Sequence, residues 1–170
     1  MHYCKLAGIK ATREAPGLLP NSSDRPADVL LPKNIFIKGY NPSFPTCLDF
    51  AVTHPQQTVT LIRAGVESGS AAARYEEAVK LPRYLQECAA NALDFIPMVV
   101  ETFGTWGKLA DPVLSFIARA AAFNSKNDED KTESFLRAAL SVTLMRYNAN
   151  TLIKHRNPLS PTVDGPVPAT

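Results

Sequence analysis

Residues Ala27–Leu31 (ADVLL) and Thr46–Thr53 (TCLDFAVT) decide the fold, because each is a short apolar run with one aspartate inside it. Pro26 and Pro32 bound the first run and Pro45 precedes the second. Both therefore read as strands, the first over Asp28–Leu31. Strand alternation sets Asp28 and Leu30 on one face of the first. In the second it sets Cys47, Asp49, Ala51 and Thr53 opposite Leu48, Phe50 and Val52. A carboxylate inside an apolar strand is costly unless its charge is compensated. If the strands pair, Asp28 and Asp49 approach closely enough to bind one divalent cation. Mg²⁺ suits them, since it takes one or two carboxylates and completes its octahedron with water and a phosphate oxygen. The competing reading is a cap or salt bridge at each strand end, with Arg25 or Arg63 as the cation.

The flanking sequence extends this frame. Pro32–Pro45, carrying Gly39 and Asn41, suits a hairpin-like connection between the strands. Upstream, residues 3–14 read as a short helix with Leu6 and Ile9 inward. Gly17–Pro26 reads as a loop whose turn formers are Asn21, Ser22, Ser23 and Asp24. Downstream, residues 66–90 are helical in character, with Ala78, Leu81, Leu85 and Cys88 at spacings of three and four. Pro82 is expected to kink or split that helix. Leu93–Val100 (LDFIPMVV) reads as a buried central or late strand despite Pro97. Leu109, Val113, Phe116, Ile117 and Ala120 form the stripe of a further helix, and another covers about 131–155. The expectation is an α/β domain with a mixed sheet. It divides into a core over 1–107, a helical extension over 108–156 packed on that core, and a Pro-rich irregular tail over 157–170.

Composition narrows the function classes. The 170 residues suffice for one hydrophobic core, and 45% apolar with 20% charged content excludes a wholly disordered chain. A formal net charge of +2 excludes a polybasic arm, so any nucleic-acid contact must rest on local placement of charge. No stretch reads as a membrane span, and the N-terminus lacks the layout of a signal peptide. Cys4, Cys47 and Cys88 lie about forty residues apart, and His2, His54 and His155 are equally scattered. A zinc site is not expected; reduced thiols in an intracellular protein are.

Three segments carry a resemblance: Arg25-Pro26-Ala27-Asp28-Val29, Leu48-Asp49-Phe50-Ala51-Val52-Thr53 and Tyr75-Glu76-Glu77-Ala78-Val79-Lys80. Together they resemble the PD-(D/E)XK nuclease pattern, in the version found in site-specific non-LTR retrotransposons and related reverse-transcriptase open reading frames. The similarity runs from about Glu14 to Trp106 and includes Pro97–Gly107 (PMVVETFGTWG). The resemblance implies a restriction-endonuclease-like αβββαβ core, Mg²⁺ (or Mn²⁺) as cofactor, and DNA as substrate. Asp28 and Asp49 match the two acidic metal ligands. Ala51 stands where the usual lysine follows the second acid, and in the retrotransposon branch a helix supplies the lysine in a Lys-x-x-Lys-Tyr pattern. Here Lys80 and Tyr84 match that pattern, with Arg83 at the second lysine and Pro82 in the intervening turn. The implied site is thus Asp28, Asp49 and Lys80, supported by Arg83 and Tyr84.

The implied chemistry is phosphodiester hydrolysis, in which the cation polarises the phosphate and a lysine stabilises the charge that develops on it. An intact element would also carry a reverse transcriptase and a Cys/His segment upstream. Neither is present here, so the chain reads as a terminal fragment beginning at an internal Met1, with at most weak and poorly specific cleavage. A functional nuclease of this kind would work in the nucleus. The alternative is a catalytically inactive relic of the same fold, serving as a DNA-binding or interaction module.

Several residues also have ordinary structural readings. Glu76, four residues before Lys80, is a favourable helical partner worth roughly 0.2–0.5 kcal/mol. Glu14 reads as a solvated helix residue or an auxiliary acid, His54 as a loop residue, Glu101 as part of a structural turn and Trp106 as a core-edge residue. From Ser134 to Val163 the chain carries Arg137, Arg146, Lys154, His155 and Arg156 with no acid, whereas Asp128, Glu129, Asp130 and Glu133 precede them. Acid first and base last suits a helix dipole; the same basic stretch would also suit a DNA backbone.

Overall fold

The computed structural model describes residues 1–20, 24–54 and 70–156, with 155 and 156 described as backbone alone. The turn formers Asn21, Ser22 and Ser23, the cation Arg63, the first residues of the 66–90 helix and the 157–170 tail lie outside the described residues.

The elements run in the order α–β–β–β–α–β–α–α. Helix α1 (His2–Leu6) is followed by strands β1 (Thr12–Arg13), β2 (Val29–Leu31) and β3 (Thr46–Thr53). A composite helix comes next: α2 (Ser70–Tyr75), a π-helical turn (Glu76–Lys80) and α3 (Leu81–Ala90). Strand β4 (Asp94–Glu101) and helices α4 (Asp111–Ser125) and α5 (Glu129–Arg156) complete the chain. The four strands form one mixed sheet in the order β1-β2-β3-β4, with β1/β2 and β2/β3 antiparallel and β3/β4 parallel.

The sheet is covered on both faces. Leu31, Leu48, Ile96 and Met98 pack against Cys4 of α1, Val113, Leu114, Ile117 and Ala118 of α4, and Leu136 of α5. On the other face Cys47 and Phe95 meet Tyr84 and Cys88 of α3, with Leu19 and Ala27. The C-terminal helices therefore share the core of the sheet, because one apolar face of β3 and β4 has no other cover.

Pro97 fits β4 because that strand ends the sheet. Val99 directs its carbonyl outward to accept the Gly107 N–H at 2.9 Å. Pro97, two residues earlier, turns its nitrogen to the same outer side, so its missing N–H removes no bond to β3.

Four expectations need correction. Residues 3–14 are not one helix: α1 stops at Leu6, Gly8 takes a φ of +69°, and a further strand of the meander begins at Thr12. Leu6 is exposed and Cys4 is the buried residue of α1, while Ile9 is buried as expected. Asp28 stands one residue before β2 rather than inside it. Finally, Pro82 splits the helix as expected, standing in the first turn of α3 behind a π turn, but the inward stripe is not Ala78, Leu81, Leu85 and Cys88. Ala78 and Leu85 are exposed; Ala72, Glu76, Tyr84 and Cys88 are buried. The π turn accounts for both. A proline ring presses on the carbonyl four residues back and offers no N–H. Widening the turn ahead of it, with the Leu81 N–H donating to the Glu76 carbonyl five residues back, absorbs that conflict and rotates the following residues.

Candidate functional site

The β2/β3 register places Asp28 beside Asp49. The ladder pairs Leu31 with Thr46, Leu30 with Cys47 and Val29 with Leu48; Asp28, one residue before β2, donates its N–H to the Leu48 carbonyl at 3.0 Å and lies near enough to Asp49 to raise its carboxyl. There the backbone ladder ends, and the Asp28 side chain takes over: its Oδ2 accepts the Phe50 N–H at 2.7 Å. Asp28 is otherwise exposed, which leaves its second oxygen toward solvent.

Asp49 is buried, its side chain 9% exposed. Alternation turns it to the face covered by the composite helix, as Cys47 is. Lys80, the last residue of the π turn, extends to it, with Nζ 2.5 Å from Oδ2. Burial raises the Asp49 carboxyl above its ordinary range. The hydrogen bond and charge of Lys80 oppose that rise without cancelling it, and the nearby Asp28 adds to it. The site thus holds two carboxylates and one ammonium, with the buried carboxylate under-compensated.

Arg83 and Tyr84 take different roles around this cluster. Arg83 is exposed and forks onto Asp24, its Nη2 3.1 Å and Nε 3.3 Å from Oδ2. Its guanidinium lies 5.0 Å above the Tyr84 ring, a cation–π contact. Tyr84 is a core residue, 6% exposed and 5.3 Å from the Phe95 ring. It supports Arg83 from below, and burial raises its phenol. The expected pair of Glu76 with Lys80 does not form; Lys80 reaches Asp49 instead.

The fit of a divalent cation can be judged on the donors present. No three His, Cys, Asp or Glu side chains gather closely enough to form a metal cage among the described residues. A hard cation held by two carboxylates, with water and substrate phosphate completing its shell, does not need one. Asp28 and Asp49 supply oxygen donors of that kind, and Asp49 remains under-compensated beside Lys80. The donor set fits Mg²⁺ or Mn²⁺ on these grounds.

Two buried glutamates fell outside the expected site. Glu101, 6% exposed, accepts the N–H groups of Ala71 and Ala72 at 3.1 and 3.3 Å, capping α2 from the end of β4. Glu76, 2% exposed, lies against Gly107 and accepts a backbone hydrogen bond from Leu109. Its Oε1 has no donor, and burial pushes its carboxyl up to about 7. Apolar periodicity cannot find either residue, because both are charged side chains on inward faces. Glu14 is exposed and paired with Arg13 at 3.2 Å. His54 meets Phe103 edge-on, and Trp106 packs half-buried against Phe50. Arg137 is held by Glu133 at 2.7 Å and Asp111 at 3.0 Å, a structural role for one residue of the basic stretch.

Comparison with protein-family models, curated proteins and solved structures returns no match. No helix among the described residues is long and apolar enough to cross a membrane.

Proposed function

We propose that this chain is a metal-dependent DNA endonuclease domain with a restriction-endonuclease-like core, derived from a retroelement. One observation carries the reading: Asp28, at the entry to β2, lies beside Asp49 of β3, and Lys80 reaches Asp49 from the covering helix at 2.5 Å. The order of elements, α–β–β–β–α–β, supports it.

Asp28 and Asp49 would hold Mg²⁺ or Mn²⁺. Bound there, the cation supplies Lewis-acid polarisation of a phosphodiester and activation of water. Lys80 is held at the same carboxylate, so its ammonium stabilises negative charge that develops on a phosphate seated there. Arg83 steadies the outer edge of the site by its fork onto Asp24. The helix lysine supplies the cation that Ala51 lacks on β3. In an intact element, target recognition would rest with upstream modules such as a reverse transcriptase.

Nicking of supercoiled DNA with Mg²⁺ or Mn²⁺ tests this. The wild-type chain is expected to nick weakly, Asp49→Ala to abolish both nicking and calorimetric metal binding, and Lys80→Ala to cut the rate roughly 10²–10³-fold with metal binding kept. Nicking that survives Asp49→Ala would sink the proposal. A second reading, an inactive module of the same fold, is favoured by Lys80 and Arg83 each already bearing a carboxylate partner. Metal binding without nicking would select it.

A further inference from the structure

A cleft opens beside α4, on the face of the sheet away from the Lys80–Asp49 pair. Its walls are the β2–β3 connection around Ile37, Lys108 of the turn after β4, and one side of α4. It measures about 600 Å³, within the range of roughly 300–1,000 Å³ typical of ligand sites. Ile37 belongs to the core cluster of Leu48, Ile96 and Val113, and Tyr40 and Phe116 pack on it. Asp49 turns to the opposite face with Cys47, so the cleft shares no residue with the Asp28–Asp49–Lys80 cluster.

The sequence builds each wall locally. In the connection, Ile37 is buried and anchors the segment to the core, while its neighbours Phe36 and Lys38 stay exposed. The Tyr40 N–H donates to the Ile37 carbonyl at 3.1 Å and closes a turn over Gly39, whose φ of +92° suits glycine. On α4, Pro112, Ser115, Phe116 and Arg119 follow the spacing of one helix side. Val113, Leu114, Ile117 and Ala118 fill the other side and hold the helix to the sheet.

Two properties of the lining select the ligand. The first is aromatic surface: Phe36, Tyr40 and Phe116 come from both walls, and Phe36 is 75% exposed. The second is charge. Lys38, Lys108 and Arg119 stand against one acid, Asp111, and Arg137 Nη1 already holds that acid at 3.0 Å. Arg119 bonds Glu129 at 3.0 Å, but both side chains are exposed, and a surface pair of this kind exchanges its partner readily. The Ser115 hydroxyl is occupied, donating to Glu133 at 3.0 Å. The side chains of the cleft therefore offer rings and cations rather than partners for a peptide backbone.

We propose that this cleft binds one unpaired nucleotide of a nucleic-acid strand, its base stacked on Phe36 and its phosphate on Lys38 and Lys108. A nucleotide joins a flat ring to an anion, the combination that the lining complements. Aromatic rings set in a cationic groove hold single strands in this way, with little regard to sequence. The open rim favours a strand over a free nucleotide. Phe36, Lys38, Lys108 and Arg119 all face solvent, so the chain can continue on either side of the nucleotide held. The inference does not rest on the nuclease reading, because it needs no metal and uses none of Asp28, Asp49 and Lys80.

Fluorescence anisotropy of dye-labelled octathymidylate with the full chain tests it. EDTA is present throughout, so that no cation at Asp28 and Asp49 contributes. The wild type is expected to bind with a Kd of roughly 1–100 µM at low salt. Phe36→Ala should weaken binding roughly 5- to 100-fold, the loss of one stacked base. Lys38→Glu should weaken it at least about tenfold. Both positions are exposed, so the melting temperatures should match the wild type. Lys10→Glu makes the same charge change at an exposed lysine outside the cleft and should weaken binding less than about threefold. Unlabelled thymidine monophosphate should compete at least about tenfold less well than unlabelled octathymidylate, having one phosphate and no strand. Absence of binding, binding indifferent to Phe36→Ala, or equal losses in Lys10→Glu and Lys38→Glu overturns the proposal. A monophosphate that competes as well as the strand overturns the strand as the source and assigns the cleft to a free nucleotide. Inorganic phosphate that competes as well as the monophosphate overturns the part given to the base.

Discussion

Asp49 packs under the composite helix and Glu76 belongs to it; both are buried carboxylates, yet their surroundings differ. Asp49 has Lys80 at 2.5 Å and lies next to an acid that opens to solvent. Glu76 accepts a backbone hydrogen bond from Leu109, and the nearby acids Glu77 and Asp111 add to the rise of its carboxyl. Desolvation raises both groups, and at Asp49 the charge and hydrogen bond of Lys80 oppose the rise. The contrast separates a charge that the fold retains with a partner from one that it tolerates by protonation. The first arrangement suits cation and phosphate chemistry. The second suits a fixed packing position.

Removing the cation should produce the largest effect. Lys80→Met leaves Asp49 buried and unpaired, and breaking a buried pair in this way costs about 3–5 kcal/mol. Asp49→Asn in the Lys80→Met background should restore most of that loss, because no charge is then stranded. Urea unfolding of the two single variants and the double variant measures the coupling. If Lys80→Met unfolds at the wild-type midpoint, the pair carries no stabilisation, and the distinction between the two carboxylates collapses.

Glu76 should report itself through pH. Its carboxyl titrates near 7 in the fold against about 4.5 when unfolded. Between these values the folded chain holds a proton that the unfolded chain has lost. Stability attributable to Glu76 is therefore greatest below pH 4.5, declines as pH rises to 7, and levels off above it. The decline amounts to on the order of 3 kcal/mol. Glu76→Gln should remove that slope, so the wild type and the variant should diverge in unfolding free energy across roughly pH 5–8. Parallel curves would mean that Glu76 is charged throughout and has a partner.

The sequence marks the strands more readily than the site. Thr46–Thr53 is preceded by Pro45 and is a short run rich in apolar and β-branched residues, and the observed strand has those limits. The last helix, expected over about 131–155, runs from Glu129 to Arg156. Thr12–Arg13 escaped because two exposed polar residues carry no periodicity; they pair only because β2 offers an edge. The inward face of the composite helix was misread for a related reason. The π turn changes the angular step at Glu76–Lys80, and the residues turned inward there include a glutamate and a lysine, which an apolar template skips. The adjacency of Asp28 and Asp49 follows from strand pairing alone, as the two runs read. The reach of Lys80 to Asp49 does not: it depends on the π turn, which Pro82 signals only as a disturbance.

The smallest expected effect lies at Gly107, and it probes how rigidly Glu76 is held. A Cβ at position 107 would overlap Glu76 Oε1, so one of the two must move. The carboxylate ends a flexible side chain, but that chain is 2% exposed and has little room to turn. Gly107→Ala should therefore destabilise by about 1–3 kcal/mol, the range of an overpacked core. The cause is steric rather than conformational, because Gly107 does not need a positive φ. Shortening the neighbour in Gly107→Ala/Glu76→Ala should recover part of the loss, and the double variant should also lack the slope between roughly pH 5 and 8. Thermal melts of the wild type, the two single variants and the double variant at about pH 5 and pH 8 would give both results. No recovery in the double variant would mean that the turn after β4 excludes a side chain for reasons of its own, and that Glu76 merely lies beside it.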